Sequence, residues 1–219
     1  MAEIDLMDRY PKSNRDNLLD EREAVSEEDR RIARQFGKEY FDGPRRLGLG
    51  GYYYSPKIFK PVVERMIDYY GLTSSSAVLD VGCGKGFMLH DFRVALPGLT
   101  VAGIDISDYC IENAMPSVAP FMRKASCDEL PYPDKSFDLV IAIATIHNLD
   151  IEGVKKSLRE IMRVTRLHAF IKVNGYHTEK QRAALHRWNL VAKTILHVDE
   201  WKNMFVEVGY TGDYFWFTP

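Results

Sequence analysis

The spacing of apolar positions predicts a chain in which strands and helices alternate. Four apolar runs have the length of strands, and the run at 137–143 is apolar at nearly every position, which indicates burial on both faces. The predicted strands are 77–82, 99–105, 137–143 and 167–173, with a short one near 119–124. Segments with helical spacing lie between them, at 61–70, 86–96, 107–114 and 151–164. This alternation predicts an α/β fold with a mostly parallel twisted sheet and helices on both faces.

The two ends of the chain carry weaker patterns. After Tyr176 we expect helices at 179–193 and 198–208, and then an aromatic strand at 210–217. Near the other end, Ser26 followed three residues later by Asp29 predicts the start of a helix.

A glycine-rich loop follows the first strand in the sequence VLDVGCGKGF, residues 78–87. Glycine tolerates positive φ and has no Cβ, so a ligand can lie against the backbone. The spacing differs from the dinucleotide pattern G-x-G-x-x-G, because the sixth position is Phe87, and no Lys-Ser/Thr pair completes a phosphate loop. Asp80 ends the strand two residues before Gly82. A carboxylate there suits a ligand that carries a positive charge and hydroxyl groups.

The second strand also ends in an acid, Asp105. An acid at the end of the second strand of a βαβ unit is placed to bind the hydroxyls of a ribose. The alternative is that Asp105 caps the following helix. Because Ser107 or Asp108 can serve as that cap, we expect Asp105 to be available to a ligand.

Three segments together carry a family resemblance: VLDVGCGKGFML at 78–89, AGIDIS at 102–107 and LPYPDKSFDLVIAIATIHNL at 130–149. Over about 72–174 the chain resembles the class I methyltransferases that depend on S-adenosylmethionine. The resemblance implies a Rossmann-like α/β fold with an antiparallel C-terminal edge. The family ends in two antiparallel strands, whereas this chain shows one clear strand, so either 194–197 is its partner or the last strand is absent.

The resemblance also implies roles in a site for S-adenosylmethionine. Asp80 would position the amino acid part of the donor above the backbone of Gly82 and Gly84, Asp105 would bind the ribose hydroxyls, and Ile106 would pack on the adenine. For the adenine amine, three alternatives stay open: Ser126, Cys127 and Asp128. Further residues assigned to this site are Cys83, Gly86 and Ala144.

Candidates for the methyl-accepting side follow the fourth and fifth strands. His147 is the first candidate for a general base, since an imidazole accepts a proton near neutral pH; a structural histidine is the alternative. His177 is the reserve base, and Tyr53 is a further catalytic candidate. Substrate contacts are expected from Arg45, whose guanidinium suits an anionic group, and from three tyrosines. These are Tyr52, Tyr54 and Tyr176.

We divide the chain into two parts. Residues 1–56 are expected to form an N-terminal tail and an aromatic lid segment, and 57–219 the methyltransferase domain. The charged stretch at 1–34 is either a solvated tail or a lid over the substrate. The segment at 36–56, which contains GGYYY, either contacts the ligand or packs as a surface loop.

Composition excludes several other classes of protein. The net charge of −2 gives no general attraction to nucleic acid. No apolar stretch is long enough for a membrane helix, and the acidic N-terminus does not resemble a secretory signal. Three scattered cysteines suit a reducing, cytoplasmic compartment and predict no metal site. The aromatic C-terminus leaves a homodimer contact open.

The sequence therefore predicts methyl transfer to O, N or S of a small molecule, an anionic or sugar-like metabolite. Two alternatives remain: a non-catalytic protein that binds S-adenosylmethionine, and a nicotinamide-dependent oxidoreductase.

Overall fold

The computed structural model describes residues 1–11 and 25–218 of the chain. Its centre is a seven-stranded sheet in which β3, β2, β1, β4 and β5 lie side by side in that order, and both β6 and β7 pair with β5. The strands are β1 (Ala77–Val81), β2 (Thr100–Asp105), β3 (Met122–Lys124), β4 (Phe137–Ile143), β5 (Thr165–Tyr176), β6 (Leu196–His197) and β7 (Asp213–Phe217). The order reverses at β1, which places the switch point of the sheet between β1 and β4.

Helices connect the strands on both faces of the sheet. They are α1 (Glu27–Ala33), α2 (Lys38–Phe41), α3 (Lys60–Tyr70), α4 (Phe87–Ala95), α5 (Asp108–Glu112), α6 (Ile151–Val164), α7 (Glu179–Trp188) and α8 (Val198–Val208). The predicted α/β class and alternation are confirmed. Helix α1 starts as predicted: the Ser26 side chain caps the Asp29 N–H, and the Asp29 carboxylate accepts from the Ser26 N–H. No helix of the described residues is long and apolar enough to cross a membrane.

The alternation of side chains along β1 divides the core between the two faces. Leu79 belongs to the cluster that contains Trp201 of α8, whereas Val78 belongs to the cluster that contains Val62 of α3 and Phe92 of α4. All five side chains are completely buried. Because successive residues of a strand point to opposite faces, an apolar β1 can pack helices above and below it. The sheet is therefore held rigidly at its switch point, where the strand ends meet.

The prediction of an antiparallel C-terminal edge is wrong. β7 runs parallel to β5, with Phe170 opposite Asp213 and Asn174 opposite Phe217, and the short β6 is also parallel to β5. Helix α8 connects β6 to β7 and is therefore the crossover between these two strands. A helical crossover returns the chain to the same end of the sheet, whereas an antiparallel neighbour is typically joined by a hairpin.

The first residues of the chain belong to the folded body. Ile4 N–H donates to Tyr214 O at 2.9 Å and Tyr214 N–H donates to Ala2 O at 3.0 Å, so this segment covers the outer edge of β7. Leu6 is completely buried. Of the segment predicted to be a tail or a lid, 12–24 lie outside the described residues. The beginning of this segment is therefore a packed part of the fold.

Candidate functional site

A cavity of about 820 Å³ opens at the carboxyl ends of β1, β2, β4 and β5. Its volume lies in the range of small-molecule sites. One side is formed by the loop after β1 and the turn after β2. The other side is formed by the ends of β4 and β5, and the segments before α3 and after α7 cover it. The fold thus places this cavity where open α/β sheets bind their ligands.

The glycine loop forms part of the cavity wall at Gly82 and Gly84. Both glycines have positive φ, +81° and +55°. A Cβ on Gly82 would lie 2.2 Å from Thr145 Oγ1, and one on Gly84 would lie 2.8 Å from the Tyr52 ring. Only glycine fits these positions, because another residue would meet both steric and backbone strain. At both positions the absence of a Cβ thus lets another side chain, of Thr145 or of Tyr52, pack directly on the loop backbone.

Asp105 lies in the cavity wall and also holds the loop in place. Its carboxylate accepts the Gly84 N–H at 2.7 Å and the Ser107 N–H at 2.9 Å. Burial raises the pKa of Asp105, and its backbone hydrogen bonds oppose that rise. The Ser107 hydroxyl accepts the Cys110 N–H and so caps α5. Asp105 is therefore not the cap, and its carboxylate remains in the cavity wall.

Asp80 is a buried carboxylate close to this wall. It is 5% exposed, and among the described residues no hydrogen bond or ion pair reaches its side chain. Burial, and then the negative charge of Asp105, raise the pKa of Asp80 to about 7. A positive ligand group would relieve both effects. Asp80 itself does not line the cavity, which Gly82 reaches from the same strand end.

The remaining residues predicted for the donor fall into two groups. Ile106, Ser126, Cys127 and Ala144 line the cavity, and the Ile106 side chain is half exposed there. The others do not line it. A Cβ on Gly103 would meet Cys83 Sγ, one on Gly86 would meet Met122, and Asp128 accepts a hydrogen bond from the Ser126 hydroxyl. Of the three adenine candidates, Ser126 and Cys127 thus face the cavity, whereas Asp128 is turned toward Ser126.

The three consecutive tyrosines take different directions. Tyr52 and Tyr53 line the cavity. Tyr54 instead donates its hydroxyl to Asp91 Oδ1 at 2.6 Å and does not line the cavity, so the predicted substrate contact is not supported. Arg45 lines the cavity and donates to Leu49 O at 3.0 Å.

The surroundings of His147 argue against the predicted general base. The side chain lines the cavity but is only 3% exposed, and its Nδ1 accepts the Asn174 N–H at 3.4 Å. Burial, and then the positive charge of Lys172, lower the pKa of His147 to about 3. A neutral imidazole that accepts at Nδ1 carries its proton on Nε2, so it has no lone pair left to take another.

His177 and Tyr176 lie away from the cavity. The Tyr176 ring contacts His197 and Arg182, and the exposed His177 also packs near His197. Neither residue lines the cavity; Tyr176 is the last residue of β5 and His177 follows it. Their predicted roles as reserve base and substrate contact are therefore not supported.

Two parts of the cavity wall contain residues that the sequence analysis did not name. Met7 and Tyr10 reach it from the N-terminal segment. The segment after α7 reaches it as well, because α7 ends at Trp188 instead of continuing to residue 193. Both the Lys193 and Thr194 N–H groups donate to His147 O, at 3.1 and 3.0 Å. Only the tertiary structure brings these segments to the strand ends, and no local sequence signal identifies them.

A match to a known family covers the centre of the chain: residues 79–171 match the model described as a methyltransferase domain. An uncharacterized protein of Haemophilus influenzae is 27% identical over 184 residues, which are 77% of this chain and 68% of that protein. A sterol 24-C-methyltransferase of Gibberella zeae is 33% identical over 101 residues, 42% of this chain and 26% of that protein. The YcgJ protein of Bacillus subtilis has a similar fold, with a TM-score of 0.55 at 21% identity over 67% of this chain and 66% of that one.

Proposed function

The chain carries a class I S-adenosylmethionine-dependent methyltransferase domain, and on that premise we propose that it methylates O, N or S of a small-molecule acceptor. The observation that carries the proposal is a pair of carboxylates at one wall of the cavity. Asp105 lies within this wall, and Asp80 lies behind it. Their burial and raised pKa values favour a ligand with positive charge. A pyrophosphate would add negative charge beside them, which argues against a nicotinamide dinucleotide.

The residues present fit S-adenosylmethionine. Gly82 and Gly84 provide backbone without side chains, the Asp105 carboxylate lies in the wall where ribose hydroxyls would bind, and Ile106 offers a half-exposed apolar face for the adenine. Asp80, which lies behind this wall, would provide the counter-charge for the amino group. When bound, this compound supplies a methyl group activated by a positive sulfur atom.

Catalysis by this chain would rest on alignment. Correct placement of two reacting groups is worth on the order of 7–11 kcal/mol. The N-terminal segment, held over the loop through Tyr52, would exclude water from the donor side. Tyr53 lines the cavity and remains a candidate to contact the acceptor. His147 would act as a structural residue, so the acceptor would reach the site as a neutral amine, a thiolate or another group that needs little help from a base.

Two features support a small acceptor. The cavity is lined by Tyr10 and Tyr40 from the N-terminal part and by Leu190 and Val191 from the segment after α7, and its volume of about 820 Å³ suits a small molecule. The cationic side chain of Arg45 in its lining supports an acceptor with an anionic group.

Calorimetry with S-adenosylhomocysteine and with NAD tests the donor. We expect micromolar affinity for the first compound and none for the second; binding of NAD alone would overturn the proposal. Transfer of a labelled methyl group from S-adenosylmethionine to a metabolite extract tests turnover. Donor binding without labelled product in any extract would favour a non-catalytic binding protein.

A further inference from the structure

The Tyr52 ring lies directly on the glycine loop. A Cβ added to Gly84 would lie 2.8 Å from Tyr52 Cε1 and 2.9 Å from its hydroxyl oxygen, so the phenol end of the ring touches the loop backbone. The ring also packs against Phe87, at a centroid distance of 4.8 Å, and against Phe41, at 5.7 Å. Tyr52 belongs to the cavity lining. Its hydroxyl is therefore at the wall where the donor is expected to bind.

The backbone of Tyr52 is held to the loop on both sides of its peptide unit. Its N–H donates to Asp42 Oδ1 at 2.8 Å, and its carbonyl accepts a hydrogen bond from Lys85 Nζ at 3.1 Å. Lys85 and Asp42 also form an ion pair with each other. The position of the ring is thus fixed before any ligand arrives, as a specific contact requires.

The Tyr52 hydroxyl differs from the two neighbouring phenols because it has no partner among the described residues. The Tyr54 hydroxyl donates to Asp91 at 2.6 Å. The Tyr109 hydroxyl donates to Asp42, also at 2.6 Å. The Tyr52 oxygen is not one of the enclosed polar atoms that lack a partner, although Tyr52 itself is half-buried. It is therefore open to the cavity and available to a ligand.

The backbone amides of the loop are already used within the protein. The Gly82 and Cys83 N–H groups both donate to Ile104 O, at 2.8 and 3.0 Å. The Gly84 N–H donates to the Asp105 carboxylate at 2.7 Å. In a loop that binds phosphate, such N–H groups face the anion instead. A negative ligand group at this wall therefore needs a donor from another segment.

The chemistry of the donor supplies such a group. S-adenosylmethionine ends in an amino acid, which carries an ammonium and a carboxylate. Asp80 attracts the ammonium and repels the carboxylate, so the carboxylate needs a hydrogen-bond donor of its own. Burial, and then the negative charge of Asp80, raise the pKa of Tyr52 well above its usual value. The Tyr52 hydroxyl therefore keeps its proton and can donate it.

We propose that the Tyr52 hydroxyl donates to the carboxylate of S-adenosylmethionine and makes the site specific for ligands that carry the complete amino acid. This inference rests on the proposed methyltransferase function and deepens it. The sequence predicted that Tyr52 contacts the acceptor, whereas this contact assigns it to the donor. Asp80 and Tyr52 then divide the two charges of the amino acid between them.

The test is calorimetry on the full chain with two ligands, S-adenosylhomocysteine and 5′-methylthioadenosine. The second ligand has the adenosine and the sulfur atom but no amino acid. We expect Tyr52→Phe to weaken S-adenosylhomocysteine about tenfold, because hydrogen bonds to charged groups are the stronger ones, and to leave 5′-methylthioadenosine unchanged. Unchanged affinity for both ligands, an equal loss for both, or tighter binding of either would each overturn the proposal.

Tyr54→Phe is the matched control, because it removes a partnered hydroxyl outside the cavity lining. It should lower the free energy of unfolding in urea and leave both affinities unchanged. Tyr52→Phe should do the reverse and unfold like the wild type. If Tyr52→Phe is destabilised as much as Tyr54→Phe, its hydroxyl acts within the protein and the proposal is wrong. A wild-type chain that does not bind S-adenosylhomocysteine would instead refute the proposed function, so the two failures are distinct.

Discussion

Lys85 of the glycine loop forms a buried ion pair with Asp42 of the N-terminal segment. Lys85 Nζ lies 2.6 Å from Asp42 Oδ2, and both side chains are less than a tenth exposed. The same carboxylate accepts the Tyr109 hydroxyl at 2.6 Å and the Tyr52 N–H at 2.8 Å. Burial by itself would raise the pKa of Asp42, but these hydrogen bonds outweigh burial and bring it below its usual value. The pair therefore fastens the segment before α3 to the loop expected to hold the donor.

We expect Lys85→Met to lower the free energy of unfolding by about 3 kcal/mol, because it leaves a buried carboxylate without its charge partner. Lys124→Met is the matched control, since it removes a lysine–aspartate pair of 2.7 Å with Asp108 that is half exposed. Such a surface pair contributes less than about 1 kcal/mol. Urea unfolding measures the free energy of unfolding of both variants. Equal losses of stability in the two would contradict the role of the buried pair.

The pKa of Asp80, about 7, predicts how donor affinity depends on pH. A cationic ligand favours the ionised carboxylate, and at pH 6 about one tenth of Asp80 is ionised. Affinity for S-adenosylmethionine should therefore rise about tenfold from pH 6 to pH 8 and then level off. Asp80→Asn should bind weakly at every pH without this rise. Calorimetry across this range decides, and a flat wild-type profile would exclude Asp80 as the counter-charge.

Ile106→Ala should weaken S-adenosylhomocysteine about fivefold, because it removes roughly 1 kcal/mol of apolar contact with the adenine. The loss of stability should be small, since Ile106 is 51% exposed in the ligand-free structure. Ile151→Ala is the control at a similar exposure, 45%, on α6 and outside the cavity wall. If both variants bind like the wild type, Ile106 does not contact the adenine.

His147 should make stability depend on pH below neutrality. Its pKa is about 3 in the folded protein and near 6.5 when exposed. Between these values the unfolded chain binds more protons, so stability increases with pH and is lost as the pH falls below about 6.5. The contribution reaches about 1.4 kcal/mol per pH unit.

His147→Gln should reduce that slope, as urea unfolding at pH 7 and pH 5 would measure. It should also retain much of the methyl transfer activity, because the ring is structural. If turnover instead falls by more than about a hundredfold while donor affinity is normal, His147 is the catalytic base.

Leu6→Ala should cost about 2–4 kcal/mol of stability, since Leu6 is completely buried in the segment beside β7. Val206→Ala, with 77% exposure on α8, is the control and should cost little. Thermal unfolding of both variants measures these losses of stability. If Leu6→Ala has a negligible effect on stability, the first residues form a loose tail.

The sequence predicted the elements that local patterns specify. Helix α6 occupies 151–164 as expected, because its apolar positions recur at helical spacing. The glycines after β1 identified the loop, since positive φ at those positions allows few other residues. Local chemistry also indicated a cap at Ser107 or Asp108, of which the structure uses Ser107, and the acids near the ends of β1 and β2.

The tertiary structure decided which of these groups meet. The sequence by itself determined an α/β domain with a donor loop and two strand-end carboxylates, because hydrophobic period, glycine and strand-end residues act over a few positions. Only the fold paired Lys85 with Asp42 and buried the ring of His147, because burial and pairing depend on segments far apart in the chain. For the same reason β7 is parallel: the direction of a last strand follows from how the preceding helix crosses the sheet, which no local pattern contains.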